Sequence, residues 1–299
     1  MKRPLMGTVA TYLFLVLTGL ILIYPLVYMA LGSFTTPAEY LRTRYIPIPS
    51  RIRFDPYVTI FTGLGEIPQA LQVTLRREAW FIILGLLVSL FGGYAFSRMR
   101  FPGRDTLFML FLTGLMVPGM LISLPLYMIM VRFPLVGGNN ISGVGGQGLL
   151  NSWAALLVLG MVDVFSVFLM KQNMDMIPME YEEAAVMDGA GLFTTLFRIY
   201  VPMLKPVIAV IVVQTFIGVW NDYFMPLILV SGKPNLAPLA VALQRMVWRV
   251  SYGGGKGVGL PPFDVVFAGG TFMCLPPILL FVLMQRHFVQ GLVGVGIRG

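Results

Sequence analysis

Six long apolar runs divide the chain, at 8–32, 79–97, 106–131, 152–170, 206–230 and 265–285. Each is long enough to cross a bilayer as a helix, which takes roughly 20 residues for ~30 Å of hydrocarbon. The pattern predicts an all-α, polytopic membrane protein with six transmembrane helices in a single domain spanning 1–299. Several runs contain prolines: Pro25, Pro118, Pro125, Pro226 and the pair Pro276-Pro277. Prolines kink spans, and neighbouring helices or water satisfy the freed carbonyls. Such kinks suit a bundle around a polar route, and equally plain packing geometry. In the second run Gly85, Ser89, Gly93 and Ser97 recur every fourth residue. That small stripe lets another helix approach closely and predicts a tight contact.

Composition agrees with this pattern. Of 299 residues 57% are hydrophobic and only 11% charged, against about 25% charged in soluble domains. So few charges could not cover a water-facing surface, and the apolar content excludes disorder. The first run follows Lys2 and Arg3 and ends in Ala30-Leu31-Gly32, as a signal peptide would. It exceeds the ~7–15 apolar residues of a signal core, so we read it as a retained span. The lone Cys274 cannot form an intramolecular disulfide or a metal cluster and reads as a buried small hydrophobe. The lone His287, beside Arg286, reads as interfacial. No catalytic or metal site is expected.

The net charge of +8 is scattered in ones and twos between apolar runs. That argues against nucleic acid and turns charge into a topology signal. With the N-terminus in the cytoplasm, segments 1–7, 98–105, 171–205 and 286–299 hold 10 Lys and Arg in 64 residues. Segments 33–78, 132–151 and 231–264, then outside, hold 11 in 100. The best single vote is 98–105, with Arg98, Arg100 and Arg104. An N-in, C-in topology follows. The outside segments still carry five acids against those 11 bases, a net +6. An acidic cargo, an acidic binding protein or anionic lipid headgroups would each explain that excess.

Two Gly-rich stretches, 137–148 and 253–259, read as flexible outer connections. Lys256 follows three glycines, but Gly257 stands where a phosphate loop needs Ser or Thr. This chain is therefore expected to bind no nucleotide of its own.

The long cytoplasmic segment carries the function. Pro178 and the acids Glu180, Glu182 and Glu183 suit the N-terminal end of a short helix, and Gly189 its C-terminal cap. Residues 192–201 suit a second helix, with Pro202 near its end and Phe193, Leu196 and Phe197 on an apolar face. The product is a cytoplasmic helix-turn-helix at 178–202. It either docks into a partner or lies on the membrane surface.

Glu183-Ala184-Ala185, three residues, Gly189, nine residues and Ile199-x-Val201-Pro202 resemble the EAA loop of ABC-importer permease subunits, with Val201 in place of leucine. Further likenesses run along the chain: Tyr94 to Arg104, Val117-Pro118, Leu124 to Tyr127, Trp220 to Tyr223, and the tail from Gln285 to Gly299. Of these, Trp220 to Tyr223 and the tail resemble the maltose-type, carbohydrate-uptake subfamily, and the others resemble the second-span exit and third span of the permease family. The resemblance implies a bacterial inner-membrane importer in which a second, different permease chain completes the pathway. An ABC ATPase dimer would bind below, holding ATP and Mg, and an extracytoplasmic solute-binding protein would deliver sugars or oligosaccharides. It implies that Glu182, Glu183, Ala184, Ala185, Asp188, Gly189, Ile199 and Pro202 form the ATPase-docking element. The Gly-rich stretches look longer than is usual in that family.

Two acids lie inside runs, Asp163 and Asp222, where a charge usually faces a cavity. With Trp220, Asn221 and Tyr223, Asp222 offers acceptors beside aromatic faces, a combination suited to a sugar pathway. The alternative is a structural hydrogen bond between helices. An ion-coupled secondary transporter would need internal repeats and a partnered ion site, and a membrane enzyme would need catalytic groups; the sequence offers neither.

Overall fold

The structure is a computed structural model that describes residues 5–43, 45–62, 66–252 and 262–295. The 253–259 stretch with Lys256, the residues Lys2 and Arg3, and the side chains of Arg286 and His287 lie outside the description. The described residues form helices and turns, with no strand among them. In chain order the helices are α1 (Leu5–Gly32), α2 (Pro37–Arg42), α3 (Asp55–Thr62), α4 (Ile67–Ser97), α5 (Arg104–Leu112) and α6 (Gly119–Val131). There follow α7 (Trp153–Val158), α8 (Val164–Asp175), α9 (Glu180–Met187), α10 (Leu192–Thr195), α11 (Val201–Met203), α12 (Lys205–Trp220), α13 (Phe224–Leu229), α14 (Leu239–Tyr252) and α15 (Phe263–Val295).

Among the described residues three helices are long and apolar enough to cross a membrane: Gly7–Gly32, Ile67–Ser97 and Phe263–Gln285. Two bent pairs bring the number to five if each is one span. The third run turns by 101° at Val117-Pro118, where a 3₁₀ turn (Thr113–Met116) meets α6. Pro118 supplies no amide hydrogen to continue the helix, and Val117 before it is extended. A second bend of 82° separates Leu192–Met203 from α12. The fourth run is not one continuous helix. It stops after Val158, Gly160 takes φ +86°, and α8 restarts behind Asp163. Asp163 accepts from the backbone amides of Phe165 and Ser166 and from the Ser166 hydroxyl, capping the new helix.

The segments expected as outer loops contain helices too. In α2, Thr36 and Glu39 close a capping box. The amphipathic α14 buries Leu239 and Val241 completely. Helix α4 begins twelve residues before its apolar run, so Arg76, Arg77 and Glu78 are helical rather than loop residues.

Contacts divide the chain into two compact units, Met1–Pro68 with Leu243–Pro276 and Gln69–Ala242 with Pro277–Gly299. In the first, α1 packs on α15 at glycines. A Cβ on Gly32 would lie 2.8 Å from Phe267, and one on Gly270 would lie 2.5 Å from Met29. Phe61 meets Phe272 edge-on, and Arg249 pairs with Glu66 at 2.6 Å. In the second unit, one core joins α4, α8 and α12 through Leu90, Met170, Met174, Leu196, Tyr200 and Ile211.

The small stripe on α4 makes its close contact with α8. A Cβ on Gly93 would stand 2.7 Å from the Met170 side chain and 3.1 Å from the Lys171 backbone nitrogen. Ser97 donates to Asp175 at 2.6 Å. Gly85 departs from the pattern, with nothing within 4 Å of its notional Cβ. The 137–148 stretch is densely hydrogen-bonded, contrary to its reading as a flexible connection. Asn139 donates to the carbonyls of Val131 and Phe133 and accepts from Gly146, while Asn140 accepts from Ser142 and Val144. Its glycines are compact: a Cβ on Gly137 would collide with the Gly148 carbonyl at 2.0 Å.

Candidate functional site

Two polar centres stand out in the second unit. The first lies under the expected docking element. Helix α9 starts with Glu180, Glu182 and Glu183 in its first turn, where carboxylates oppose the helix dipole. It ends at Asp188, whose amide bonds the Ala184 carbonyl, and at Gly189 with φ +83°. The Ala190 amide reaches back to the Ala185 carbonyl at 2.9 Å and closes the turn. Only a residue without Cβ takes that conformation cheaply.

Helix α9 has two distinct faces. Glu183, Ala184, Met187, Asp188 and Gly189 are exposed, Met187 to 88%. Ala185 is buried, and Glu182 turns inward. Its two carboxylate oxygens accept from the phenol hydroxyls of Tyr94 and Tyr200, each at 2.6 Å. Arg98 stands 3.8 Å from the same carboxylate, lies over the Tyr200 ring, and donates to the carbonyls of Met174 and Ile177 just past α8. Glu182 and Arg98 thus tie α9 to α4, to the end of α8 and to the segment before α12. Tyr200 reaches it from a π-helical turn (Leu196–Tyr200), a geometry that recurs at functional sites. Ile199 is half-buried beside this core, and Pro202 is exposed. Phe193 and Phe197 stand edge-on to Phe91 and remain partly open, Phe193 to 66%.

The second centre is an ion pair between Arg77 on α4 and Asp222 in the break between α12 and α13, at 2.5 Å. Arg77 is 3% exposed and lies over the Phe81 ring. Its Nε and Nη1 have no hydrogen-bond partner. The pair borders two cavities, of about 340 and 360 Å³, that share Arg77, Leu159, Gly160 and Asp222 as walls. The first cavity also meets Gly85, Asp163, Ser166, Gln214 and Thr215. The irregular backbone from Leu159 to Asp163 lies here and lines the first cavity. Next to Arg77, the carboxylate of Glu78 is buried without a hydrogen-bond partner.

Of the pathway residues named from sequence, Asp163 and Asp222 meet at the first cavity. Trp220 is 2% exposed and stacks on Phe216. Asn221 donates to the Ile217 carbonyl and ends α12, while half-buried Tyr223 starts α13. Sequence reasoning placed none of Tyr94, Arg98, Tyr200 or Arg77 in a site, reading Arg98 only as a topology charge. A signal for Arg77 was available, since an acid inside a span needs a cation and Arg77 lies just before a span.

This all-helical architecture is shared with a solved bacterial ABC transporter "involved in the import of the acidic polysaccharide alginate". The TM-score is 0.77 at 21% identity, covering 95% of this chain and 96% of that chain. Residues 82–294 match the family "Binding-protein-dependent transport system inner membrane component", and the chain belongs to it. Similar curated proteins include the galactooligosaccharides transport system permease protein GanQ of Bacillus subtilis, 30% identical across 97% of this chain and 95% of that protein. The lactose transport system permease protein LacG of Rhizobium radiobacter is 28% identical across 98% and 97%. The arabinooligosaccharides transport system permease protein AraQ of Halalkalibacterium halodurans is 27% identical across 93% and 92%.

Proposed function

We propose that this chain is the permease subunit of an ATP-driven, binding-protein-dependent importer of sugars or oligosaccharides, and that α9 is where ATPase closure enters it. The chain carries no ATPase site; ATP and Mg belong to the ATPase dimer. In this reading six spans cross the bacterial inner membrane with both ends inside, α7 and α8 together making the fourth. A second permease completes the pathway, and a solute-binding protein docks outside. The carbohydrate class is supported by the oligosaccharide and lactose systems among the relatives. The basic outer segments suit an acidic binding protein or acidic units in the cargo.

The observation that carries the coupling reading is the two-faced α9. Its outer face is low and open at Glu183, Ala184 and Gly189, while Glu182 anchors its inner face. Glu183 would meet a cation or backbone donor on the ATPase, Ala184 permits close approach while buried Ala185 packs inward, and Ile199, Val201 and Pro202 hold the second half. ATP must then bind one state of the pathway more tightly, by about 5.5 kcal/mol for a 1:99 to 99:1 swing.

Gly189→Asp tests this. Nothing lies within 4 Å of the notional Cβ, so the change strains only an exposed turn. We expect the variant to fold and insert but to lose ATPase co-purification and ATP-dependent uptake. If both survive, α9 is not the docking element. Uptake driven by an ion gradient without ATP would favour a secondary transporter instead.

A further inference from the structure

We infer that the cavity beside Arg77 and Asp222 is a subsite for one neutral sugar unit, held by its hydroxyls on this chain's side of the pathway. This rests on the importer reading above and adds the site and the class of ligand.

Arg77 carries the inference. It is 3% exposed, yet only Nη2 is bonded, to Asp222, while Nε and Nη1 have no partner. Buried donors left unmade cost free energy. A side chain held so deep, on the wall of two cavities and with two donors unmade, is arranged to receive an acceptor. Asp222 keeps 30% of its side chain exposed at the same walls. A vicinal diol matches that pair: one hydroxyl accepts from Arg77 and another donates to Asp222. Gln214 and Thr215 line the first cavity and supply further donors and acceptors. Leu159, Met161 and Val219 add apolar wall to the cavity. Few polar groups in a mostly apolar cavity is the usual form of a small-molecule site, and about 340 Å³ is at the small end of the ~300–1,000 Å³ range. That suits one unit of a chain, not a whole oligosaccharide.

Charge selects neutral over acidic. The first cavity holds one guanidinium against the carboxylates of Asp163 and Asp222. A uronate would bring a third carboxylate beside these two, and like charges so close oppose ionisation. A hydroxyl meets no such penalty and serves as donor and acceptor together. The basic excess of the outer segments then falls to the binding protein.

The test is direct binding to the assembled transporter, both permeases with the ATPase dimer in nanodiscs, without binding protein. The probes are radiolabelled galactotriose, arabinotriose and a mannuronate trisaccharide. We expect a neutral trisaccharide to bind more tightly than the uronate. Arg77→Gln should weaken it at least tenfold. Gln214→Leu and Thr215→Val, which leave the ion pair intact, should each weaken it several-fold, and they decide the matter if Arg77→Gln fails to assemble. Unchanged neutral binding in those two variants overturns the subsite, and so does tighter binding of the uronate. Failure of the chain to co-purify with any ATPase overturns the importer reading instead. A complex that hydrolyses ATP but binds sugar independently of these residues removes the subsite alone.

Discussion

Helix α4 carries an arginine-centred cluster near each end, and the two are built oppositely. Arg98 and Glu182, at the α9 end, are bonded at every group but the Arg98 Nε, which has no hydrogen-bond partner. Both Glu182 oxygens hold a phenol, and Arg98 reaches two carbonyls. Arg77 and Asp222 lie about 30 Å away along the helix axis, at 1.5 Å per residue. There half of the guanidinium is unused and cavities open on either side. A saturated buried network has one arrangement and transmits displacement as a rigid part. A half-made one keeps its free energy for something that arrives later. On the two proposals above, the difference gives rigidity to the α9 end and recognition to the cavity end of a single helix.

The largest effect expected from breaking this contrast is at Glu182. Glu182→Ala removes one partner of a mostly buried ion pair and strands two phenols, a loss of about 2–4 kcal/mol. We expect a clear fall in the melting temperature of the purified complex and loss of uptake. Tyr94→Phe deletes one hydrogen bond and should cost about 1 kcal/mol. The sharper readout is coupling. Glu182→Gln should keep ATPase co-purification, because the exposed face of α9 is untouched. ATP hydrolysis should become less dependent on loaded binding protein. If Glu182→Gln instead loses the ATPase while stability holds, Glu182 belongs to the docking face after all.

The two ends of α4 also differed in how far the sequence revealed them. Helix α9 was readable because its signals are local: three acids, two alanines and a glycine within ten residues, and Gly189 does take the left-handed turn. What Glu182 touches was not readable, since Tyr94 lies 88 residues away. The Arg77–Asp222 pair spans 145 residues, and Arg77 falls just before the apolar run that defined its span. Hydropathy marks where lipid begins, not where a helix begins, so the first twelve residues of α4 were taken for loop. The fourth run failed for the converse reason. Leu159 to Val162 is apolar throughout, but Gly160 turns left-handed and Asp163 caps a fresh helix. Apolar composition conceals a break that backbone conformation and capping create.

Glycines sharpen the comparison next, with a smaller effect. Gly93 sits at the packed end, where a Cβ would press on Met170 and the Lys171 backbone. Gly93→Ala should cost about 1–3 kcal/mol through overpacking. Gly85 lines the cavity with open space around it. Gly85→Ala should be neutral or stabilising by up to about 1 kcal/mol, since alanine is the better helix former. Thermal melting of both variants in one detergent checks the order. Equal destabilisation would mean that the cavity closes in the protein and that the contrast between the ends is lost.

The smallest effect separates saturation from burial. Glu39, at the start of α2, is as well bonded as Glu182 but lies at the surface. It accepts from the Ser50 hydroxyl and from the Thr36 amide and hydroxyl. Those donors hold its carboxyl down from an ordinary value near 4.5 to about 2, the Ser50 hydroxyl contributing most. A depressed folded-state value stabilises the turn fully above pH 4.5, and the contribution fades as pH falls through about 2. Hydrogen exchange of the α2 amides, corrected for intrinsic rates, should therefore quicken across that window, and Glu39→Gln should abolish the pH dependence. Uptake and global melting at pH 7 should barely change in that variant, because water competes for every bond the carboxylate makes. A global loss comparable to that of Glu182→Ala would mean that saturation alone, without burial, sets the strength of these clusters.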